Sequence, residues 1–198
     1  MANSKPVTPK SDKAAARIAA AEARTALFDA APGAGASLAA HFMATFDPAP
    51  ATTIAAYWPM RSEIDTRPLL AALDGAGCLC LLPVVAERGA PLLFRRWTPG
   101  AELTISGFGV SEPGADAAEA RPEIVVVPLL GFDGEGRRIG YGGGYYDRTL
   151  AALRKGGNRP LTAVGAAFAG QRLDRAPEES FDQRLDWIVT EAGATQFT

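Results

Sequence analysis

The sequence predicts an α/β fold: a single domain of three layers, α/β/α, built on a largely parallel central sheet. Three observations point there. Helical stretches alternate with short apolar runs along most of the chain, the pattern of strands joined by crossover helices. The run Glu123-Ile124-Val125-Val126-Val127 is β-branched and apolar without alternation, as a strand covered on both faces must be. Finally, 198 residues suffice for one full core and are few for two domains with a linker.

The first helix is expected from Ser11-Asp12 through Phe28, an Ala-rich stretch with Ile18, Ala21 and Phe28 among its apolar positions and an acidic start. After Pro32-Gly33, Ser37 to Phe46 reads as a second helix, ended by Asp47-Pro48. Thr53 to Trp58, stopped by Pro59, reads as a buried strand. Thr66 to Leu73 follows as a helix ending near Gly75, and Cys78 to Leu82 as a strand ended by Pro83. Strand, helix and strand in this short span form a βαβ unit. Leu92 to Trp97 resembles a more exposed strand, and Thr98 to Arg121 reads mainly as loop, with Phe108-Gly109-Val110 as a short anchor. Beyond the central strand come a helix from Gly144 to Arg154 and strands at Thr162–Phe168 and Trp187–Thr190.

Composition narrows the function classes. A formal net charge of -2 and the lack of a long Lys/Arg block argue against a nucleic-acid or anionic-membrane surface, which needs clustered cations. Small-molecule partners are expected. Cys78 and Cys80 lie one residue apart in an apolar run, and His41 is the single histidine. A Cys/His zinc site therefore lacks ligands, and two reduced core thiols and a structural His41 are expected. No apolar stretch reaches the roughly 20 residues of a membrane span. Residues 1–12 are polar and proline-bearing, expected to be a disordered tail without the apolar core of a signal peptide. The ordered domain is then 13–198, in the cytoplasm.

Chemistry concentrates in Leu130 to Leu150, LGFDGEGRRIGYGGGYYDRTL, where Gly140, Gly142, Gly143 and Gly144 crowd before a helix. Glycines let backbone N–H groups converge on an anion, aided by a helix N-terminus, so a triphosphate belongs here. No Lys-Ser/Thr pair follows, and the glycines do not follow a first strand, which excludes the Walker A and dinucleotide fingerprints. Arg137 and Arg138 precede the turn, Tyr145 and Tyr146 follow it, and Asp147 stands in the first helical turn. That carboxylate could hold a metal ion against phosphates, or simply favour the helix macrodipole.

The segment R-I-G-Y-G-G-G-Y-Y-D-R, Arg138 to Arg148, with the preceding P-L-L-G-F-D, resembles the signature of the 5-formyltetrahydrofolate cyclo-ligases, also called methenyltetrahydrofolate synthetases. A Lys-x-x-x-Arg pair (Lys13, Arg17), Y-W-P-M-R-S-E-I-D-T and L-D-W-I-V-T-E keep the family's order. The resemblance implies that Lys13 and Arg17 contact ATP phosphates; residues four apart share a helix face. It implies that Arg138, Gly140, Tyr141, Gly142, Gly143, Gly144, Tyr145 and Tyr146 wrap the nucleotide, with Tyr141 to Tyr145 also facing folate. Glu63 is implied as the folate-contacting carboxylate, and Trp58 as a packing surface for the pterin. Magnesium falls to Asp147 and Asp186, with Asp182 close to the second. Arg138, Tyr145 and Asp147 are the implied catalytic residues. Some relatives carry basic residues at the positions of Tyr141 and Gly143, so positive charge here falls to Arg137, Arg138 and Arg148.

The implied activity is the Mg²⁺- and ATP-dependent closure of 5-formyltetrahydrofolate, with or without a polyglutamate tail, to 5,10-methenyltetrahydrofolate by a monomer. In the family the γ-phosphoryl group passes to the formyl oxygen, N10 attacks the activated carbon, and phosphate leaves. Such chemistry asks for positioning and charge neutralisation, and the sequence offers no Ser-His-Asp or Cys-His set. The competing readings are a non-catalytic nucleotide- or folate-binding relative, and an α/β enzyme acting on another phosphorylated or carboxylated metabolite.

Overall fold

The computed structural model describes residues 9–156 and 160–197. Of the expected tail, residues 1–8 lie outside the described residues, whereas Pro9 already opens the first helix, α1 (Pro9–Ala30). Helix α2 (Ala34–Phe46) follows, ending in a left-handed Asp47 whose N–H bonds the Met43 carbonyl. Strand β1 (Thr53–Ala55), helix α3 (Arg67–Gly75) and strand β2 (Leu79–Val84) form the βαβ unit. Strand β3 (Leu93–Arg96) completes this half. Strands β4 (Leu103–Ile105) and β5 (Ser111–Pro113) make a separate hairpin where a loop was expected. The second half contains β6 (Ile124–Pro128), the small hairpin β7 (Gly131–Phe132) and β8 (Arg138–Ile139), and helix α4 (Tyr145–Lys155). It closes with β9 (Thr162–Ala166), β10 (Trp187–Thr190) and β11 (Gly193–Gln196).

The main sheet has seven strands in the order β11-β10-β9-β6-β1-β2-β3. Its five inner strands run parallel, and both edge strands are antiparallel. β6 occupies the centre, as its unbroken apolar run requires: Val126 faces one core with Ile54, Cys80 and Val164, while Val125 and Val127 face the other with Ala55, Leu81 and Leu150. Helices α2 and α3 cover the first face and α4 the second, giving the three layers. Each fully buried Leu or Val in these cores contributes about 1.5–3 kcal/mol.

Two strands differ instructively from expectation. β1 stops at Ala55, three residues early: Ala56 N–H makes a last bond to the Leu81 carbonyl of β2 at 3.0 Å, and then the chain turns away, the Tyr57 carbonyl being taken by Thr66 Oγ1 at 2.5 Å. β2 runs through Pro83 because β1 has already ended opposite Leu81. There the missing proline N–H deprives no parallel partner.

The architecture creates a crevice. From β1 the chain crosses through α3 to β2 on one side, and from β6 through α4 to β9 on the other, so the adjacent carboxyl ends of β1 and β6 form a topological switch point, the usual ligand site of open α/β sheets.

Candidate active site

A cavity of 410 Å³ opens at this switch point, within the usual range for small-molecule sites. Its walls come from the residues after β1 (Tyr57, Trp58, Met60, Glu63), the ends of β2 and β6 (Pro83, Val85, Pro128), the glycine turn into α4 (Arg138, Gly140 to Asp147) and α1 (Lys13, Arg17). Phe108 and Val110 from the β4–β5 hairpin, with Glu179, Phe181 and Asp182, complete the rim.

The glycine turn brings α4 in N-terminus first. Gly142 and Gly144 have φ of 94° and 64°, values that side-chain-bearing residues rarely adopt. A Cβ on Gly142 would stand 3.2 Å from the Arg17 guanidinium carbon, so the turn and α1 touch directly. Arg17 Nε donates to the Gly140 carbonyl at 3.2 Å. The buried Arg138 donates to Asp147 Oδ1 at 2.6 Å and to the Gln183 carbonyl; the Gln183 N–H donates to the same Asp147 oxygen at 3.0 Å. Burial lowers the pKa of Arg138, opposed by Asp147. Tyr145 packs edge-on against Phe108 with ring centroids 6.2 Å apart. Burial raises the pKa of the Tyr146 phenol strongly.

Lys13 is buried, and its ammonium donates to Asp182 at 2.7 Å and Glu179 at 3.0 Å. Burial alone would lower its pKa, but the two carboxylates outweigh this and raise it. α1 thus presents charge inward: Lys13, Ala20 and Arg24 are buried, while Ile18 is 64% exposed. The expected apolar positions Ile18 and Phe28 both face out, because small alanines and cations fill the inner face.

At the other end, Met60 N–H donates to Glu63 Oε2 at 2.8 Å, and the Tyr141 hydroxyl donates to Oε1. Burial raises the Glu63 pKa, with Tyr141, Met60 and Arg24 pulling against it. Trp58 lines the cavity with its ring 5.8 Å from that of Trp97.

Several expected residues stand elsewhere. Arg137 is bound to Asp133 (2.6 Å) and Glu135 (2.5 Å) in the β7–β8 hairpin, away from the cavity wall. Arg148 donates to the Gly143 carbonyl and stacks on Tyr145. Asp186 does not line the cavity: its Oδ2 accepts from Ala163 N–H at 2.7 Å and pairs with Arg154 at 3.1 Å. Among the described residues no three His, Cys, Asp or Glu side chains form a metal cluster. His41 lies in α2, outside the cavity wall. Cys78 and Cys80 are buried and unbridged, and burial pushes the Cys80 thiol to about 12.

Sequence reading missed Arg24, which exposes 3% of its surface and reaches Ser62, Tyr141 and Glu63. Its signal was available: Lys13, Arg17 and Arg24 are four and seven residues apart, one face of a 3.6-residue helix.

Residues 9–191 match the 5-formyltetrahydrofolate cyclo-ligase family. This chain belongs to that family. The 5-formyltetrahydrofolate cyclo-ligase of Escherichia coli (strain K12) is 35% identical over 77% of this chain and 85% of its own. That of Haemophilus influenzae is 32% identical over 75% and 81%. The NMR structure of Aquifex aeolicus 5,10-methenyltetrahydrofolate synthetase superposes with a TM-score of 0.71, at 27% identity over 93% of this chain and 92% of that one. The protein is therefore an enzyme, a cyclo-ligase of 5-formyltetrahydrofolate, and the cavity is its candidate active site. No described helix is long and apolar enough to cross a membrane.

Proposed function

We propose that the enzyme uses ATP and Mg²⁺ to convert 5-formyltetrahydrofolate to 5,10-methenyltetrahydrofolate, releasing ADP and phosphate. The observation that carries this reading is the polarity of one cavity: a glycine-lined end with Lys13, Arg17 and Arg138, continuous with an end of aromatic rings and the Glu63 carboxylate. The first suits phosphates, through backbone donors and cations. The second suits a flat heterocycle bearing N–H groups, stacked on rings and donating to a carboxylate.

The formyl oxygen is a poor leaving group until it is phosphorylated. Transfer of the γ-phosphoryl group to that oxygen, attack by N10 on the activated carbon and loss of phosphate close the ring. The protein's part is in-line positioning and charge neutralisation. Lys13, Arg17 and Arg138 neutralise the phosphates, Gly140 to Tyr146 enclose them, and Glu63 with Tyr141 and Trp58 orients the folate.

Magnesium fits the donor set. Asp147 lines the cavity beside the glycine turn, and its Oδ2 makes no hydrogen bond among the described residues. Mg²⁺ binds through one or two carboxylates and substrate phosphates and needs no all-protein cage, which agrees with the open arrangement. When bound, it would shield the charge of the transferring phosphoryl group. Asp186 would have to release Arg154 to join. The buried, unbridged thiols are compatible with a cytoplasmic location.

The test mixes purified protein with 5-formyltetrahydrofolate, ATP and Mg²⁺ and follows the near-ultraviolet absorbance of the methenyl product together with ADP. Product formation that ignores ATP would sink the reading. Asp147→Asn is expected to cost at least about 10–100-fold in magnesium-dependent turnover; because it also leaves the buried Arg138 without its charged partner, the thermal midpoint is expected to fall, and turnover is measured well below it.

A further inference from the structure

Arg24 lies behind Tyr141 and Glu63 at the folate end without itself lining the cavity, and neither the nucleotide contacts nor the core accounts for it. It is 3% exposed, and a buried cation is costly unless its charge and donors are matched. Its Nε donates to Ser62 Oγ at 3.2 Å and its Nη1 to the Leu129 carbonyl at 3.5 Å. The same Nη1 donates to the Tyr141 hydroxyl and lies 4.0 Å from Glu63 Oε1. The guanidinium also sits over the Tyr141 ring, 5.3 Å from its centroid.

These contacts impose a direction. A phenol has one proton; with its oxygen accepting from Arg24, that proton is committed to Glu63 Oε1. Glu63 is then held at both oxygens, by Tyr141 on one and by Met60 N–H on the other. The Tyr141 residue is 46% exposed at the cavity, so its hydroxyl bonds to the guanidinium and to Glu63 are what hold the ring in place. The guanidinium, 4.0 Å from that carboxylate, also adds to the hydrogen bonds from Tyr141 and Met60 that pull the Glu63 pKa down against burial.

We propose that Arg24 is a positioning residue for the folate end of the cavity, holding Tyr141 and Glu63 in the arrangement that receives the substrate's heterocycle. The proposal rests on the reading of Glu63 and Tyr141 as folate contacts. It assigns to α1 a second task, since Lys13 and Arg17 on the same face serve the nucleotide.

The test is a split between substrates. KM for 5-formyltetrahydrofolate and KM for ATP are measured for the unsubstituted enzyme, Arg24→Met, Arg24→Lys and Tyr141→Phe. Losing a charged hydrogen-bond network is expected to raise the folate KM at least about tenfold in Arg24→Met, with the ATP KM within twofold and partial recovery in Arg24→Lys. Should Arg24→Met fail to fold, Tyr141→Phe removes only the bridging hydroxyl. It is expected to raise the folate KM and to combine with Arg24→Lys less than additively, because both substitutions cut one network. Equal changes in the two KM values, an unmoved folate KM or strict additivity would overturn the role of Arg24. Absence of turnover in the unsubstituted enzyme would instead refute the substrate assignment beneath it.

Discussion

The four glycines of the turn look equivalent as letters, yet their surroundings differ, and Gly142→Ala against Gly140→Ala exposes the difference. Gly142 has φ +94°, and a Cβ there would meet the Arg17 guanidinium at 3.2 Å. Gly140 has no positive φ, and a Cβ would meet nothing within 4 Å. Forcing an alanine into the left-handed region costs about 1–2 kcal/mol, a factor of about 5–30 in an equilibrium constant. Gly142 is exposed, so the turn can relieve that strain by shifting, and Arg17 must move with it. On the nucleotide role proposed for Arg17 and the turn, the cost therefore falls on ATP binding more than on folding. Gly142→Ala is expected to lower kcat/KM for ATP by about 5–30-fold with a nearly unchanged thermal midpoint, and Gly140→Ala, whose Cβ meets no protein atom and whose backbone is unstrained, to lower it less, although it lines the same cavity. Steady-state kinetics with varied ATP and a melting curve on each variant decide it. Equal behaviour of the two alanines would refute the argument from backbone conformation.

Three further outcomes follow from other parts of the molecule. Gly35→Ala places a Cβ 2.4 Å from the Asp65 carbonyl oxygen; overpacking at about 1–3 kcal/mol outweighs the gain in helix propensity, and calorimetry should show a midpoint lower by about 2–4 °C for each kcal/mol. Asp133 is fully buried, and although burial would raise its pKa, hydrogen bonds from Ala176 N–H, Glu135 N–H and Arg137 lower it. Its stabilisation is present above the unfolded-state pKa of about 3.9 and is lost as the pH falls through the lower folded-state value. Melting between pH 2 and 7 should therefore show a weaker acid dependence in Asp133→Asn. Glu179→Gln removes one of the two carboxylates on Lys13; a partly exposed pair is worth up to about 1 kcal/mol, so the ATP KM should fall by up to about fivefold, and a rise would contradict competition between that carboxylate and phosphate.

What the sequence could show depended on whether a pattern was unambiguous. Val125 to Val127 announced a central strand because every residue is apolar, and both faces of β6 are indeed covered. The glycine turn was legible because few other roles explain so many glycines before a helix. The antiparallel edge β11, Gly-Ala-Thr-Gln, carries no apolar alternation, and β7 and β8 have two residues each, too short for any period. The β4–β5 hairpin hid in a Gly- and Pro-rich stretch, although Phe108 and Val110 of the expected anchor do line the cavity. The inner face of α1 failed a hydrophobic reading because its buried residues are cations and alanines. Glu63 came through family likeness alone, since nothing in a sequence marks a carboxylate as buried.

α1 acts as a ruler. Lys13 and Arg24 are separated by eleven residues, about 16 Å along a helix at 1.5 Å per residue, and point the same way because eleven residues make close to three whole turns. Deleting one residue between Arg17 and Arg24 would swing the two leading cations by about 100° relative to the third, turning them off the cavity while leaving a well-formed helix. A seven-residue insertion would nearly restore the angle but lift the leading pair by about 10 Å. Length changes that an exposed loop could absorb are thus closed to this helix, whose span, on the roles proposed for its cations, sets the spacing between the nucleotide and folate ends of the cavity.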